Sequence, residues 1–502
     1  MSTRREWLGG VLGAAASGFA APTAFDPDYG SALAAAEAIR TRKVSSVELT
    51  QRALDRIARH NPKLNAMALV LRDEALARAR EADQALARKQ NWGALHGVPI
   101  HIKDSFWLKG TPATWGMKEA AAFKSDRNAV AVDRLLGGGA VILGKTNVPV
   151  RLSDWQSFNP VYGVTNNPWD AKRTPGGSTG GGAAALAAGL GYLTLGSDIG
   201  GSIRVPAHFC GIYGHKPTIE LVSTEGEAPS FPTTLPGLPM DLAVDGPLAR
   251  HAEDLLAALL LLGGPNGAEA KAWKWTMPAP RARRLAGFRV GCVPDDAFCR
   301  LSPDVAAVMD KALASIEKAG VRVQRGWPPG LDPAKQLDSY MFLLGALLTA
   351  DLPVAALEQF GKGMPKSFLA SASAPHKRWL AETQYRLATR AVWESYFREI
   401  DVFLAPVNFV AAFPHDHSDP MGSRVLSTPA GPRPYLDQIR WVSMATFAGL
   451  PATAAPAGRT AEGLPVGLQI IGPYLEDATT IEFAAQMAGV VGGFQPPPGY
   501  SG

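Results

Sequence analysis

The chain has 502 residues, 46% hydrophobic and 19% charged, ample apolar material for a sizeable core, which excludes an intrinsically disordered protein. Its 50 basic and 45 acidic residues leave a formal charge of +5, scattered without the basic stripe and interleaved aromatics of a nucleic-acid binder. The 52 glycines and 40 prolines suit many strand-connecting loops, but no Gly-X-Y period or other fixed repeat is present, so collagens and solenoids are excluded too.

The first residues read as an address. After Met1 the chain runs Ser-Thr-Arg-Arg-Glu-Trp-Leu, and no charge appears from Trp7 to Phe25. A paired arginine, Arg4-Arg5, ahead of a mild Ala/Gly-rich run, small residues and Pro22 resembles a twin-arginine export signal. Residues 1–24 are therefore expected to be a leader, cleaved near Ala14-Ala15-Ala16 or Gly18-Phe19-Ala20, and the mature protein periplasmic. Without that leader it would be cytoplasmic. The run is too weakly hydrophobic for a spanning helix, so no stable membrane anchor is expected.

Further on, Ser45-Ser46-Val47-Glu48 forms a capping box, with Leu49, Ala53 and Ile57 following at four-residue spacing. A second helix, rich in alanine and arginine, is expected over 73–89. Strands are expected at 97–103 and, after Gly137-Gly138-Gly139, at 140–143. A helix of small residues over 183–190 is fit for burial against a sheet. A strand at 287–293, a helix at 304–319 and a strand at 401–406 follow. This alternation predicts an α/β fold with a large mixed, mostly parallel twisted sheet flanked by helices. No polar linker divides the chain. The stretch 268–284 reads as a surface insertion, and residues 25–502 as one domain.

Three cysteines, Cys210, Cys292 and Cys299, cannot build a disulfide framework or a four-cysteine zinc site. One bridge, Cys292 to Cys299, is open to them; plain buried thiols are the favoured reading.

The segment from Thr174 to Pro217 carries the chemistry. It begins Thr-Pro-Gly-Gly-Ser-Thr-Gly-Gly-Gly around Ser178 and continues to Asp198-Ile199-Gly200-Gly201-Ser202-Ile203-Arg204-Val205-Pro206. Glycines beside a serine let the backbone approach a substrate closely. The consecutive N–H groups of Ile199, Gly200, Gly201 and Ser202 are placed to converge on a developing oxyanion. A serine that attacks a carbonyl also needs a base. Gly176-x-Ser178-x-Gly180 matches in form the nucleophile elbow of α/β-hydrolases, which requires an acid and then a histidine downstream. His208, His215, His251, His376, His415 and His417 stand in no recognisable catalytic context, so that reading is weak. A lysine serves as base when burial lowers its pKa. Lys103 ends the apolar run Val98-Pro99-Ile100-His101-Ile102-Lys103-Asp104. A lone strand-end lysine would ordinarily face solvent beside Asp104, but two serines in glycine-rich loops favour the base.

These residues together resemble the amidase signature family over nearly the whole mature chain. Gly97-Val98-Pro99-Ile100 with Lys103-Asp104 matches the family's lysine strand, and Gly176 to Gly189 with Asp198 to Pro206 matches its serine- and glycine-rich signature. Asp245-Gly246-Pro247-Leu248-Ala249-Arg250 and Gly463-Leu464-Pro465-Val466-Gly467-Leu468-Gln469 are similar to further landmarks. The resemblance implies a Ser-cisSer-Lys triad: Ser202 as nucleophile, Ser178 as bridging serine on a cis peptide, Lys103 as general base. It implies hydrolysis of a carboxylic amide through an acyl-enzyme, with no cofactor and no metal, on a small-molecule amide. Esters or carbamates would open by the same steps, and a glutamine-dependent amidotransferase subunit is the alternative within the family. A homodimer is left open. A binding protein on the same scaffold is disfavoured by the complete triad.

Thr179, Gly182 and Val150 depart from residues frequent in the family; Val150 removes an acidic side chain. His415-Asp416-His417 reads as a solvated loop rather than a metal site. Asp198 and Arg204 either pair or bond separately to backbone. Gly214-His215-Lys216-Pro217 lacks the pattern of a phosphate-binding loop. Substrate-lining segments are placed around Trp115 to Met117, at Trp155 and between Trp327 and Pro434. Tyr340-Met341-Phe342-Leu343-Leu344 hints at an apolar group but fits helix core packing better. The substrate-binding residues are unknown.

Overall fold

A computed structural model of the chain describes residues 25–231, 241–350, 357 and 361–500; the leader assigned to 1–24 lies outside them. Eleven strands form one sheet. In chain order they are β1 (Met67–Val70), β2 (Pro99–Lys103), β3 (Val141–Thr146), β4 (Leu193–Asp198), β5 (Tyr213–Lys216) and β6 (Val244–Ala249). There follow β7 (Arg289–Cys292), β8 (Arg322–Arg325), β9 (Val402–Pro406), β10 (Ala452–Arg459) and β11 (Pro465–Ile471). Their order across the sheet is β1-β3-β2-β4-β6-β5-β10-β11-β9-β7-β8. The sheet is mixed and flanked by helices. Parallel pairing is concentrated in two groups, β3-β2-β4 and β9-β7-β8, while the centre from β4 to β9 is antiparallel.

The helices form where the sequence signals them. Helix α1 (Ala32–Arg40) is followed by α2 (Ser46–Leu64), whose capping box has both arms: Glu48 N–H donates to Ser45 Oγ and Ser45 N–H to the Glu48 carboxylate. Its face of Leu49, Ala53 and Ile57 is buried, as is the alanine stripe Ala75, Ala79, Ala82 and Ala85 of α3 (Arg72–Ala87). The stretch 268–284 is mostly exposed and holds one short helix, Glu269–Ala272. Cys210, Cys292 and Cys299 are buried and unbonded; the Cys292–Cys299 bridge does not form.

What positions the site is the parallel group. Every residue of β2 is buried, as befits a strand flanked by parallel neighbours and covered on both faces. Lys103 at its C-terminal end is thereby enclosed. Strand β4 runs parallel beside it, His101 opposite Thr194 and Ile102 opposite Leu195, so Lys103 and the Ser197-Asp198 end of β4 emerge at the same sheet edge. That edge, at the carboxyl ends of parallel strands, is where α/β sheets place their ligands. Strand β3 extends beyond the expected 140–143 through Thr146 because the buried Lys145 is satisfied by the Pro112 carbonyl and the Asp104 carboxylate.

The small-residue helix, α4 (Gly180–Ala187), begins three residues earlier than its pattern predicts. Its first free N–H groups find acceptors in neighbouring loops: Gly180 N–H donates to Ser157 Oγ and Gly181 N–H to the Asn147 carbonyl. The glycines are there for closeness. A Cβ on Gly181 would stand 2.4 Å from Asn147 N and 2.6 Å from Asn147 O. Gly181→Ala, which would favour an isolated helix by about 1 kcal/mol, is expected instead to destabilise the protein by about 2 kcal/mol or more through overpacking. An unchanged urea midpoint would contradict this packing.

Candidate active site

Lys103 Nζ lies 2.8 Å from Ser178 Oγ and 2.8 Å from Ser197 Oγ, with no solvent exposure. The Gly177–Ser178 peptide is cis. Gly177 fits here because a side chain would meet the Asp154 carbonyl at 2.3 Å. Thr179, next to Ser178, donates its N–H to the Ser202 carbonyl at 3.1 Å and so joins the two serine loops. Exposure rises from Lys103 to Ser178 at 1% and Ser202 at 7%, leaving Ser202 the most accessible of the three. Ser197 is a site residue that the sequence pattern did not single out. No local pattern marks it, because its contact with the lysine joins two strands far apart in sequence.

The loop that follows β4 is held from several directions. The Asp198 carboxylate accepts Gly201 N–H at 2.8 Å and Ile203 N–H at 3.1 Å, fixing the turn into helix α5 (Arg204–Cys210). Arg204 grips the same carboxylate with two hydrogen bonds, Nη2 to Oδ1 at 2.8 Å and Nε to Oδ2 at 3.0 Å, and neither side chain is exposed. They pair. Arg204 spends its remaining donors on the Val442 carbonyl, Thr446 Oγ1 and Gln469 Oε1, the first two on the helix Ile439–Ala448.

Two aromatic side chains fix the carbonyls of the same loop. Tyr340, on helix α6 (Pro333–Leu348), donates its hydroxyl to the Ile199 carbonyl at 2.7 Å. Trp155 donates Nε1–H to the Gly200 carbonyl at 2.8 Å. With those carbonyls engaged, the N–H groups of Ile199, Gly200 and Ser202 have no acceptor among the described residues, whereas that of Gly201 is committed to Asp198. Trp155 is itself braced: its ring packs on Tyr435 with centroids 5.6 Å apart, and the adjacent Asp154 accepts from Tyr435 Oη and Arg424 Nη1, both at 2.6 Å. Tyr340 to Leu344 are buried, as core packing requires, but the Tyr340 hydroxyl does more than pack. Periodicity does not distinguish a core tyrosine from one that reaches a distant loop.

Three lysines are enclosed, and burial lowers all of them: Lys103 to about 8, Lys145 to about 8 and Lys216 to about 7. Geometry separates them. Lys145 faces Asp104 at 3.5 Å, Lys216 donates to the Pro217 carbonyl at 2.8 Å, and Lys103 alone of the three touches serine hydroxyls. For Asp198, burial pushes upward, but the Arg204 charge and hydrogen bonds outweigh it and hold the carboxyl at about 2.

The remaining histidine motif is engaged elsewhere. His415 Nε2 meets Asn166 Oδ1 at 3.1 Å, Asp416 accepts from Ser418, and His417 stacks on Phe158 with centroids 3.9 Å apart. Among the described residues no group of three His, Cys, Asp or Glu side chains could hold a metal ion, and no helix is long and apolar enough to cross a membrane.

The family model described as Amidase matches residues 48–481. A glutamyl-tRNA(Gln) amidotransferase subunit of Cyanothece sp. is 32% identical over 479 residues, covering 88% of this chain and 94% of that one. Indoleacetamide hydrolase of Bradyrhizobium diazoefficiens is 31% identical over 458 residues, covering 89% and 84%. The fold is shared with a bacterial aryl acylamidase of the amidase signature family, at a TM-score of 0.77 and 22% identity, over 93% of this chain and 97% of the other. The chain therefore belongs to the amidase signature family and is an amidase, a hydrolase of amide carbon–nitrogen bonds.

Proposed function

We propose that Ser202 is the nucleophile, Ser178 the proton relay and Lys103 the base of this amide hydrolysis. The observation that carries the assignment is the 2.8 Å contact between the enclosed Lys103 amine and Ser178 Oγ. In its neutral form the amine takes the Ser178 proton while Ser178 takes that of Ser202. Ser202 Oγ then bonds to the substrate carbonyl carbon. The carbonyl oxygen gains the negative charge and is received by the free N–H groups of Ile199, Gly200 and Ser202. Collapse breaks the carbon–nitrogen bond, and the proton returns through Ser178 to the leaving amine. Water, deprotonated by the same relay, releases the carboxylic acid and restores Ser202. Ester or carbamate substrates would follow the same steps.

The paired Arg4-Arg5 ahead of an uncharged run supports export by a twin-arginine signal, with residues 25–502 acting as one domain in the periplasm. A second reading is favoured by relatives named as amidotransferase subunits: release of ammonia from glutamine for another protein of such a complex. Turnover of small amides by the purified chain alone, at its measured solution mass, supports the hydrolase and reads its oligomeric state; turnover only with added partner proteins reverses the order.

Ser202→Ala and Lys103→Ala are each expected to lower kcat/KM on a small amide by about 10⁴-fold or more, with Ser178→Ala close behind. Activity kept in Ser202→Ala and lost only in Ser178→Ala would move the nucleophile to Ser178. Because the base must be neutral and its pKa lies near 8, kcat/KM should climb about tenfold per pH unit below that value and level off above it. A rate flat into acid contradicts a lysine base. Tyr340→Phe frees the Ile199 carbonyl and should reduce kcat about three- to tenfold, the worth of one hydrogen bond, with an unchanged rate as the adverse result.

A further inference from the structure

Two buried carboxyl groups stand behind the lysine. Asp245, on β6, lies directly opposite Ser197 of β4, whose hydroxyl is 2.8 Å from Lys103 Nζ. Glu227 is bridged through its backbone to Phe106, three residues beyond Lys103, and its Oε1 accepts from Ser105 Oγ at 3.0 Å. Both side chains are enclosed, Glu227 at 4% exposure and Asp245 at 1%. The other oxygen of the glutamate, Oε2, and Oδ1 of the aspartate are buried with no donor among the described residues. After burial itself, the Glu227 carboxyl is the strongest influence on that of Asp245. An enclosed carboxylate oxygen with no donor is costly, and one proton held between the two groups would satisfy both.

The charges that face Lys103 are Glu227 and Asp245 from these two segments and Asp198 from the end of β4. Asp198 is already neutralised by Arg204, with Lys216 nearby as a second cation. The unneutralised charge is that of the pair. Burial and then the Glu227 charge push the Asp245 carboxyl well above the usual range, Lys103 opposing them.

We propose that Glu227 and Asp245 share one proton and act as a positioning pair whose single negative charge sets the pH at which Lys103 becomes a base. The proposal rests on the assignment of Lys103 as base, and it explains why so enclosed an amine still titrates within reach of neutral pH. Burial drives the proton off the amine, and one negative charge nearby holds it back. Two charges would keep the lysine protonated to higher pH, and none would free its amine at lower pH.

The test compares Glu227→Gln, Asp245→Asn and the double variant by the pH profile of kcat/KM and by infrared spectroscopy. An amide in either position replaces the protonated partner, donates to the remaining carboxylate and keeps one negative charge. Each single variant, whatever its effect on the maximal rate, should therefore keep the acid-limb midpoint of the wild type. The double variant should move it down by about one unit. The infrared band of a protonated carboxyl, present in the wild type at pH 7, should weaken in each single variant. A single variant that shifts the midpoint as far as the double, or a double variant that leaves it in place, overturns the proposal. Should these variants fail to fold, Asp254→Asn removes a different enclosed carboxyl, one that burial raises to about 8. The band must persist in that variant at pH 7, and its absence overturns the shared proton. The spectra need no turnover, so their failure is distinct from that of the triad assignment, which Ser202→Ala decides.

Discussion

An amine shut away from water and held against a hydroxyl is the constraint on which this site depends. Removing a lysine from solvent disfavours its charge, and only a neutral amine can accept a proton. The sheet supplies that enclosure. Strand β2 is buried along its whole length between parallel neighbours, and Lys103 stands at its end rather than on a loop. Two other lysines share the enclosure but not the chemistry, because their partners are a carboxylate and backbone carbonyls. A lowered pKa makes a base available; on the proposed assignment, the contact with Ser178 gives it a task.

On the proposed assignment, the second requirement is a loop whose N–H groups are left free to receive developing charge. In this chain that orientation is imposed from outside the loop. Asp198 and Arg204 fix its ends, while Tyr340 and Trp155 take the carbonyls of Ile199 and Gly200. These pins come from segments far apart in sequence, so the loop that carries Ser202 is a product of the whole fold. Preorganised donors need no rearrangement as the reaction proceeds, which is why rigid support matters more here than added contacts.

Local signals made much of this legible. The capping box at Ser45, the apolar run into Lys103 and the glycines around Ser178 each reflect a local backbone demand, and each element appears where its pattern lies. The α/β class follows from the alternation of strands and helices. The antiparallel centre of the sheet was less accessible, since pairing direction is decided by connections among β5, β6, β10 and β11 that span long stretches of chain. Long-range partners were the other blind spot. Ser197, Tyr340, Trp155 and the Glu227–Asp245 pair become visible only when distant segments are brought together, and a core tyrosine and a pinning tyrosine have the same local pattern. The early start of α4 had the same cause, because its acceptors Ser157 and Asn147 lie outside the helix.

The most direct measurement is the titration of the Lys103 side chain itself, by carbon-13 resonance of labelled lysine in the folded Ser202→Ala protein, assigned by comparison with Lys103→Ala. The expected midpoint is near 8, displaced far below the ordinary lysine value of 10.5. A midpoint at that ordinary value, in a protein otherwise folded, would contradict a buried neutral base.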